Sequence, residues 1–92
     1  MTKDQVAEEI SKKTGIEKEI VVNIVDSLKE AIKNNLVRNK NIYLRGFGSF
    51  VVKKRAKKIG RNISKKTTVV IPEHYVPVFK PCDDFLKRIK NK

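Results

Sequence analysis

The sequence predicts an α+β fold: two N-terminal helices, a three-stranded antiparallel sheet extended by a long projecting β-ribbon arm, and a short C-terminal helix. Three observations lead there. Apolar residues recur at helical spacing through the N-terminal third of the chain, and from Ile42 the pattern shortens to alternation. From Lys53 onward charge occupies both faces of the alternating segment, so that stretch cannot lie against a core and must project. At 92 residues the chain is expected to be one domain, 1–92, with a helical dimerisation segment over 1–40, a sheet over 41–81 whose arm covers about 53–74, and a terminal helix within 82–92.

Thr2, followed three residues later by Gln5, forms a capping box that opens a helix over roughly 3–13. Val6, Ala7 and Ile10 make its apolar stripe, and Gly15 after Thr14 supplies the residue on which helices commonly stop. A second helix is expected from about 18 to 38, where Val21, Ile24, Val25, Leu28, Ala31, Ile32 and Leu36 recur at helical spacing. Glu17 and Glu19 at its start, with Lys33 and Arg38 near its end, suit the helix dipole. After the turn Asn39-Lys40-Asn41, Ile42-Tyr43-Leu44 reads as a short strand, Gly46-Phe47-Gly48 as a tight turn, and Ser49 to about Ile59 as one long strand. Phe50 and Val52 point one way along it and Val51 the other. Gly60 to Lys66 reads as a hairpin tip, Thr67 to Ile71 as the returning strand, and Val76, Val78 and Phe79 rejoin the core. Pro72 and Pro77 confine the return limb to an edge and kink it. Asp83 and Asp84 then open a helix of about 83–90, with Phe85, Leu86 and Ile89 on its apolar face.

The net charge of +12 is unevenly placed. Residues 1–40 carry eight Lys/Arg and seven Asp/Glu, whereas residues 41–72 carry nine Lys/Arg and no acid. A stretch without carboxylates has no internal counter-charge, so its neutralising partner comes from outside the chain or from salt; a polyanion is the leading explanation over a merely soluble basic surface, which usually intersperses both signs. Other classes drop out. No apolar run approaches the about 18 residues of a membrane span, and the polar start from Met1 to Gln5 shows no secretory signal. The lone Cys82 cannot form an internal disulfide and fits a reducing compartment. One His and one Cys exclude a Cys/His metal cluster within one chain. No enzyme is expected either: His74 reads as a solvated strand residue, Cys82 lacks a partner base, and Asp83 and Asp84 do not share a helix face. No cofactor or small-molecule substrate is implied.

A two-stranded ribbon fits a nucleic-acid groove. Lys53, Lys54, Arg55, Lys57, Lys58, Arg61, Lys65 and Lys66 would line both of its sides and contact phosphates, giving affinity with little sequence information. Arg61 and Asn62 at the tip are residue types that read the minor groove. Ile63 is either an ordinary exposed apolar residue or a wedge that unstacks a base step and kinks the duplex. Residues 53–66 contain no aromatic side chain, which argues against the base-stacking surfaces of RNA and single-strand modules. The near-neutral first 40 residues read as packing and dimerisation helices rather than a major-groove reader.

Gly46-Phe47-Gly48-Ser49-Phe50, Lys53 and Arg55 beyond it, Gly60-Arg61-Asn62 at the tip, and Val76-Pro77-Val78-Phe79-Lys80 together resemble the HU and integration host factor family of bacterial DNA-bending proteins. The likeness runs the whole length of the chain. It implies an intertwined dimer in the cytoplasmic nucleoid, its two arms wrapping bent duplex DNA. By position it implies dimer-core roles for Phe47, Phe50 and Phe79, joined by Leu28, Ile32 and Leu44. It implies arm contacts from Lys53, Arg55, Lys58 and Arg61, and body contacts to phosphates from Lys3, Gly46, Gly48 and Ser49; with Asp83 where the family often has a lysine that holds flanking DNA, that contact either falls to Lys80 and Lys87 or is weaker. Three positions depart from the family pattern: Ile63 stands where a proline is usual, Lys66 where a glycine is common, and Asp83 where a lysine often lies. Isoleucine lacks proline's fixed φ and so defines the kink less sharply.

The dimer also has a motive in the chain itself. With about 20 residues committed to an exposed arm, one copy has little core, and pairing roughly doubles it. A homodimer is expected, a heterodimer with a related chain being the other arrangement. Generic binding is favoured over a site-preferring role like that of integration host factor, because the arm is rich in charge and poor in base-reading side chains. Ile63→Ala is expected to reduce duplex bending, measured by fluorescence energy transfer across a short duplex, with a modest loss of affinity; equal bending by the variant retires the wedge.

Overall fold

The computed structural model describes residues 1–62 and 67–92, with backbone alone for Arg61, Asn62 and 67–69. Helix α1 spans Lys3–Thr14 and α2 spans Lys18–Val37. The strands are β1 (Ile42–Leu44), β2 (Gly48–Arg55), β3 (Lys58–Asn62), β4 (Thr67–Ile71) and β5 (His74–Pro81), and α3 is Asp83–Lys90. The α+β class and the element order follow the sequence pattern.

The helix ends are set by local chemistry. Thr2 Oγ1 accepts from the Gln5 amide at 3.3 Å while Gln5 Oε1 accepts from the Thr2 amide at 2.9 Å, completing the capping box. Gly15 takes φ 76° and donates its N–H to the Ser11 carbonyl at 2.9 Å; a side chain there would be strained. The expected dipole match at the end of α2 is corrected. The helix stops at Val37, its last turn holds no basic residue, and Lys33 lies a turn too early. Arg38 caps it and donates to Asn35 Oδ1 at 3.2 Å.

β1, β2 and β5 form an antiparallel sheet in the order β1-β2-β5, with Ile42↔Phe50↔Phe79 on one rung. β3 and β4 form a separate two-stranded ladder from Lys58↔Ile71 to Asn62↔Thr67, so Gly60, Arg61 and Asn62, expected at the start of the hairpin tip, pair instead with Val69, Thr68 and Thr67. The expected single strand from Ser49 to Ile59 is therefore interrupted. β2 ends at Arg55, paired with His74, and β3 resumes at Lys58, paired with Ile71. Ala56 and Lys57 face Pro72 and Glu73 across the gap, and Pro72 has no N–H to give the ladder. The pairing lapses on both limbs at one level without a slip of register.

All four phenylalanines of the chain converge. The Phe79 ring lies 4.8 Å from Phe47, 5.0 Å from Phe50 and 6.3 Å from Phe85, and Phe47 stacks on Phe85 at 5.6 Å. Each such pair adds about 0.5–1.5 kcal/mol beyond its buried area. The cluster joins the β1–β2 turn, the sheet and α3, and the Cys82 amide donates to the Phe47 carbonyl at 2.9 Å to hold the last helix there. Beside it, Ile32 and Leu36 of α2 with Phe50, Val52 and Pro77 line an apolar cavity of about 600 Å³.

One chain cannot close this core. Among the described residues only Ala7, Val21, Leu36 and Val51 are buried hydrophobics, while Leu28 is 49% and Phe47 43% exposed. The accessible surface is 8101 Å², against roughly 5,500 Å² for a compact chain of this mass.

Gly48 shows how tight the packing is where it exists. A Cβ there would lie 2.7 Å from the Phe79 ring and against the Lys80 carbonyl oxygen. Gly48→Ala should destabilise the fold by about 1–3 kcal/mol, seen as a lowered midpoint in urea unfolding with an unchanged slope.

Candidate nucleic-acid interface

Strand alternation sorts the sheet into two faces. Ile42, Leu44, Phe50, Val52 and Phe79 lie on the apolar side, facing the cavity and the aromatic cluster. On the other, Tyr43, Ser49 and Lys80 share one rung across all three strands. Lys53 and Arg55 continue that face toward the ribbon, both exposed. At its lower edge Arg45, Gly46, Gly48, Ser49, Lys80 and Cys82 border a shallow depression of about 250 Å³. Gly46 makes this edge possible: the Phe47 amide closes a turn onto the Leu44 carbonyl at 3.0 Å, and Gly46 at the third position has φ 82°.

The electrostatics of the face are those of a site lacking its counter-charge. Lys53 is held below the ordinary lysine value by its side-chain contact with Lys80, then by the charge of Lys80, by desolvation and by Arg55. Ammonium groups crowd this way when no carboxylate is at hand, and a phosphate between them relieves the repulsion. Two other cations are already partnered. Lys54, on the opposite face, pairs with Glu73 at 3.3 Å, and Lys3 of α1 pairs with Asp26 of α2 at 3.1 Å. Such exposed pairs are weak because solvent and salt screen them, so a polyanion can displace them. Lys57 and Lys58 are exposed at and beyond the interruption. Arg61 and Asn62 end β3 by backbone position, and Ile63, Lys65 and Lys66 lie outside the described residues.

The family model for bacterial DNA-binding proteins matches residues 1–90. The chain belongs to this family. DNA-binding protein HU of Thermotoga maritima is 36% identical over 90 residues, covering 98% of this chain and 100% of that protein. Integration host factor subunit beta of Buchnera aphidicola subsp. Cinara cedri is 38% identical over 92 residues, covering 99% and 95%. Among solved structures, Anabaena HU in a cocrystal with DNA superposes with a TM-score of 0.90 at 25% identity, covering 97% of both chains. A point mutant of Thermotoga maritima HU gives 0.73 at 29% identity, covering 97% and 99%. The group is one of architectural DNA-binding proteins rather than an enzyme class.

Within this HU-like frame the structure brings Gly46, Gly48, Ser49, Lys53, Arg55 and Lys80 onto one side of the sheet and its edge, and sets Lys3 apart on the helical body. Phe47, Phe50 and Phe79 meet in the aromatic cluster; Leu44 lies on the same side of the sheet as Phe50. Ile32 lines the cavity and Leu28 is open to solvent. Sequence reasoning missed three residues. Tyr43, 72% exposed, completes the Ser49–Lys80 rung, and Arg45 borders the depression. Phe85 read as a helix-face residue but is the fourth ring of the cluster. Strand alternation marked Tyr43; nothing local marked Phe85.

The Lys3–Asp26 pair carries a pH signature. The hydrogen bond from Lys3 is the largest influence on the Asp26 carboxyl; desolvation opposes it, and the charges of Lys3 and Lys29 add to it, so that the group is held below its ordinary value. A depressed carboxylate stabilises the fold above its unfolded pKa and loses that contribution as the pH falls through the folded one. Acid unfolding of Asp26→Asn should therefore differ from the parent at neutral pH and converge with it below the ordinary carboxylate range, and NMR titration should place Asp26 under that range.

Proposed function

We propose that residues 1–92 act as one unit: an obligate dimer whose two ribbons enter the minor groove of duplex DNA and hold it bent, largely irrespective of sequence. The observation that carries this reading is the exposed row of Lys80, Lys53 and Arg55 on one face of the sheet, leading toward the ribbon within a stretch, residues 41 to 72, that holds no carboxylate. Phosphate contacts of that kind give affinity and bring no base code. Tyr43, Ser49 and the backbone at Gly46 and Gly48 seat the duplex on the body, and Lys3 leaves Asp26 to meet flanking DNA. Lys54, Lys57, Lys58, Arg61, Lys65 and Lys66 follow the groove; Asn62 reads its floor and Ile63 wedges a base step.

The exposed apolar residues support the dimer. Ile20, Ile24 and Leu28 fall one turn apart along α2, and Phe47 opens the aromatic cluster to solvent. A second copy with the same unfinished core covers both, as a homodimer or with a related chain. No described helix is long and apolar enough to cross a membrane, and a role in the bacterial nucleoid, without catalysis, accords with the family and with a single cysteine that has no disulfide partner in the chain.

The test is binding to intact and nicked DNA duplexes of unrelated sequence, and to an RNA duplex of equal length, across a salt series. Tight binding that ignores sequence, favours the nicked duplex and falls steeply with salt is expected. Arg55→Ala, Lys58→Ala and Lys80→Ala should each flatten the log–log slope by about 0.9. Strong preference for one intact sequence would transfer the protein to a site-directed role, and equal affinity for RNA would overturn the duplex-DNA reading.

A further inference from the structure

Ile59 of β3 and Val70 of β4 face each other across the ribbon and are 72% and 53% exposed. A two-stranded ribbon has no second layer, so no described segment of the chain covers them. Register tells which way they look. Pairing is kept in step across the interruption, from Arg55↔His74 to Lys58↔Ile71, so Ile59 has the parity of Lys53 and Arg55, and Val70 that of Val76 and His74. The cationic face of the sheet thus continues into an aliphatic patch. Lys57 and Lys58 immediately precede it, and no acid lies within residues 41–72.

An occupant for this patch must supply negative charge on its flanks and apolar surface between. A nucleic-acid groove does both, with phosphate rows on the outside and sugar carbons on its walls. We propose that Ile59 and Val70 pack against the sugar walls of the groove and make the ribbon select deoxyribose over ribose. This rests on the reading of the ribbon as the DNA-binding element. Phosphates are common to both polymers, so the lysines cannot tell them apart. The 2′-hydroxyl can: it both donates and accepts. Pressed against two aliphatic side chains it loses water and finds no partner, a penalty corresponding to about tenfold in affinity.

The experiment compares the full-length protein with Ile59→Thr/Val70→Thr on DNA and RNA duplexes of one sequence, over a salt series. Threonine keeps the β-branched shape that suits a strand while offering a hydroxyl to the sugar. The double variant is expected to lose about tenfold on DNA, keep its salt slope, and bind RNA more tightly than the parent, since its hydroxyls now partner the 2′-hydroxyl, so that the DNA:RNA ratio falls by about tenfold or more. Equal loss on both polymers, or no change on either, overturns the assignment. So does a parent protein that binds the two alike. Assembly of the free protein beyond a dimer that the double variant abolishes would assign the patch to a second copy and overturn it too. Lys58→Ala is the separate control: if it leaves the salt slope unchanged on both polymers, the ribbon itself is not the DNA-binding element.

Discussion

A ribbon two strands wide has no interior, and much of this molecule follows from that. The strands β3 and β4 have no second layer to bury against, so they are held by their ladder and by what they grip. The remaining residues must then fold around fewer apolar side chains than a compact domain of the same length would have. They meet the shortage by concentrating aromatic packing. The Phe79 ring contacts Phe47, Phe50 and Phe85 from three separate elements, and bare Gly48 lets it approach the backbone. What is left uncovered, above all along α2, is surface for a second copy.

The same economy governs charge. The acids that balance the lysines cluster in the helices, where Asp26 and Glu30 take up Lys3, Lys29 and Lys33. The sheet face is left with Lys53 and Lys80 against one another. Repulsion between them is small in water and tolerable in the free protein. It is a standing bias toward any surface that supplies phosphates at that spacing, and it grows weaker with salt.

Much of this was legible in the chain. Thr2–Gln5, Gly15 and the 3.6-residue apolar period located both long helices because capping and burial are local or periodic signals. The carboxylate-free stretch and the charge on both faces from Lys53 showed that the ribbon must project. Two things were hidden for a physical reason. The break at Ala56-Lys57 is caused by Pro72 on the opposite limb, and a strand carries no mark of its partner's missing N–H. Phe85 joins Phe47 and Phe79 only through the fold of α3, which no spacing in the sequence encodes. The basic residues of the site were readable singly, but the contact between Lys53 and Lys80 depends on register.

The matched break has a mechanical consequence. Ala56-Lys57 and Pro72-Glu73 interrupt both limbs at one level while the pairing on either side stays in step. Rotation at that level breaks no ladder hydrogen bond, so compliance is gathered into four residues and both ladders stay stiff. A load on the ribbon changes its direction and leaves its register, and so the order in which its side chains meet a surface, as it was. The two limbs reach the same distance from the body whatever angle they take, and a bent rod held between two such ribbons is gripped at fixed length and variable slope.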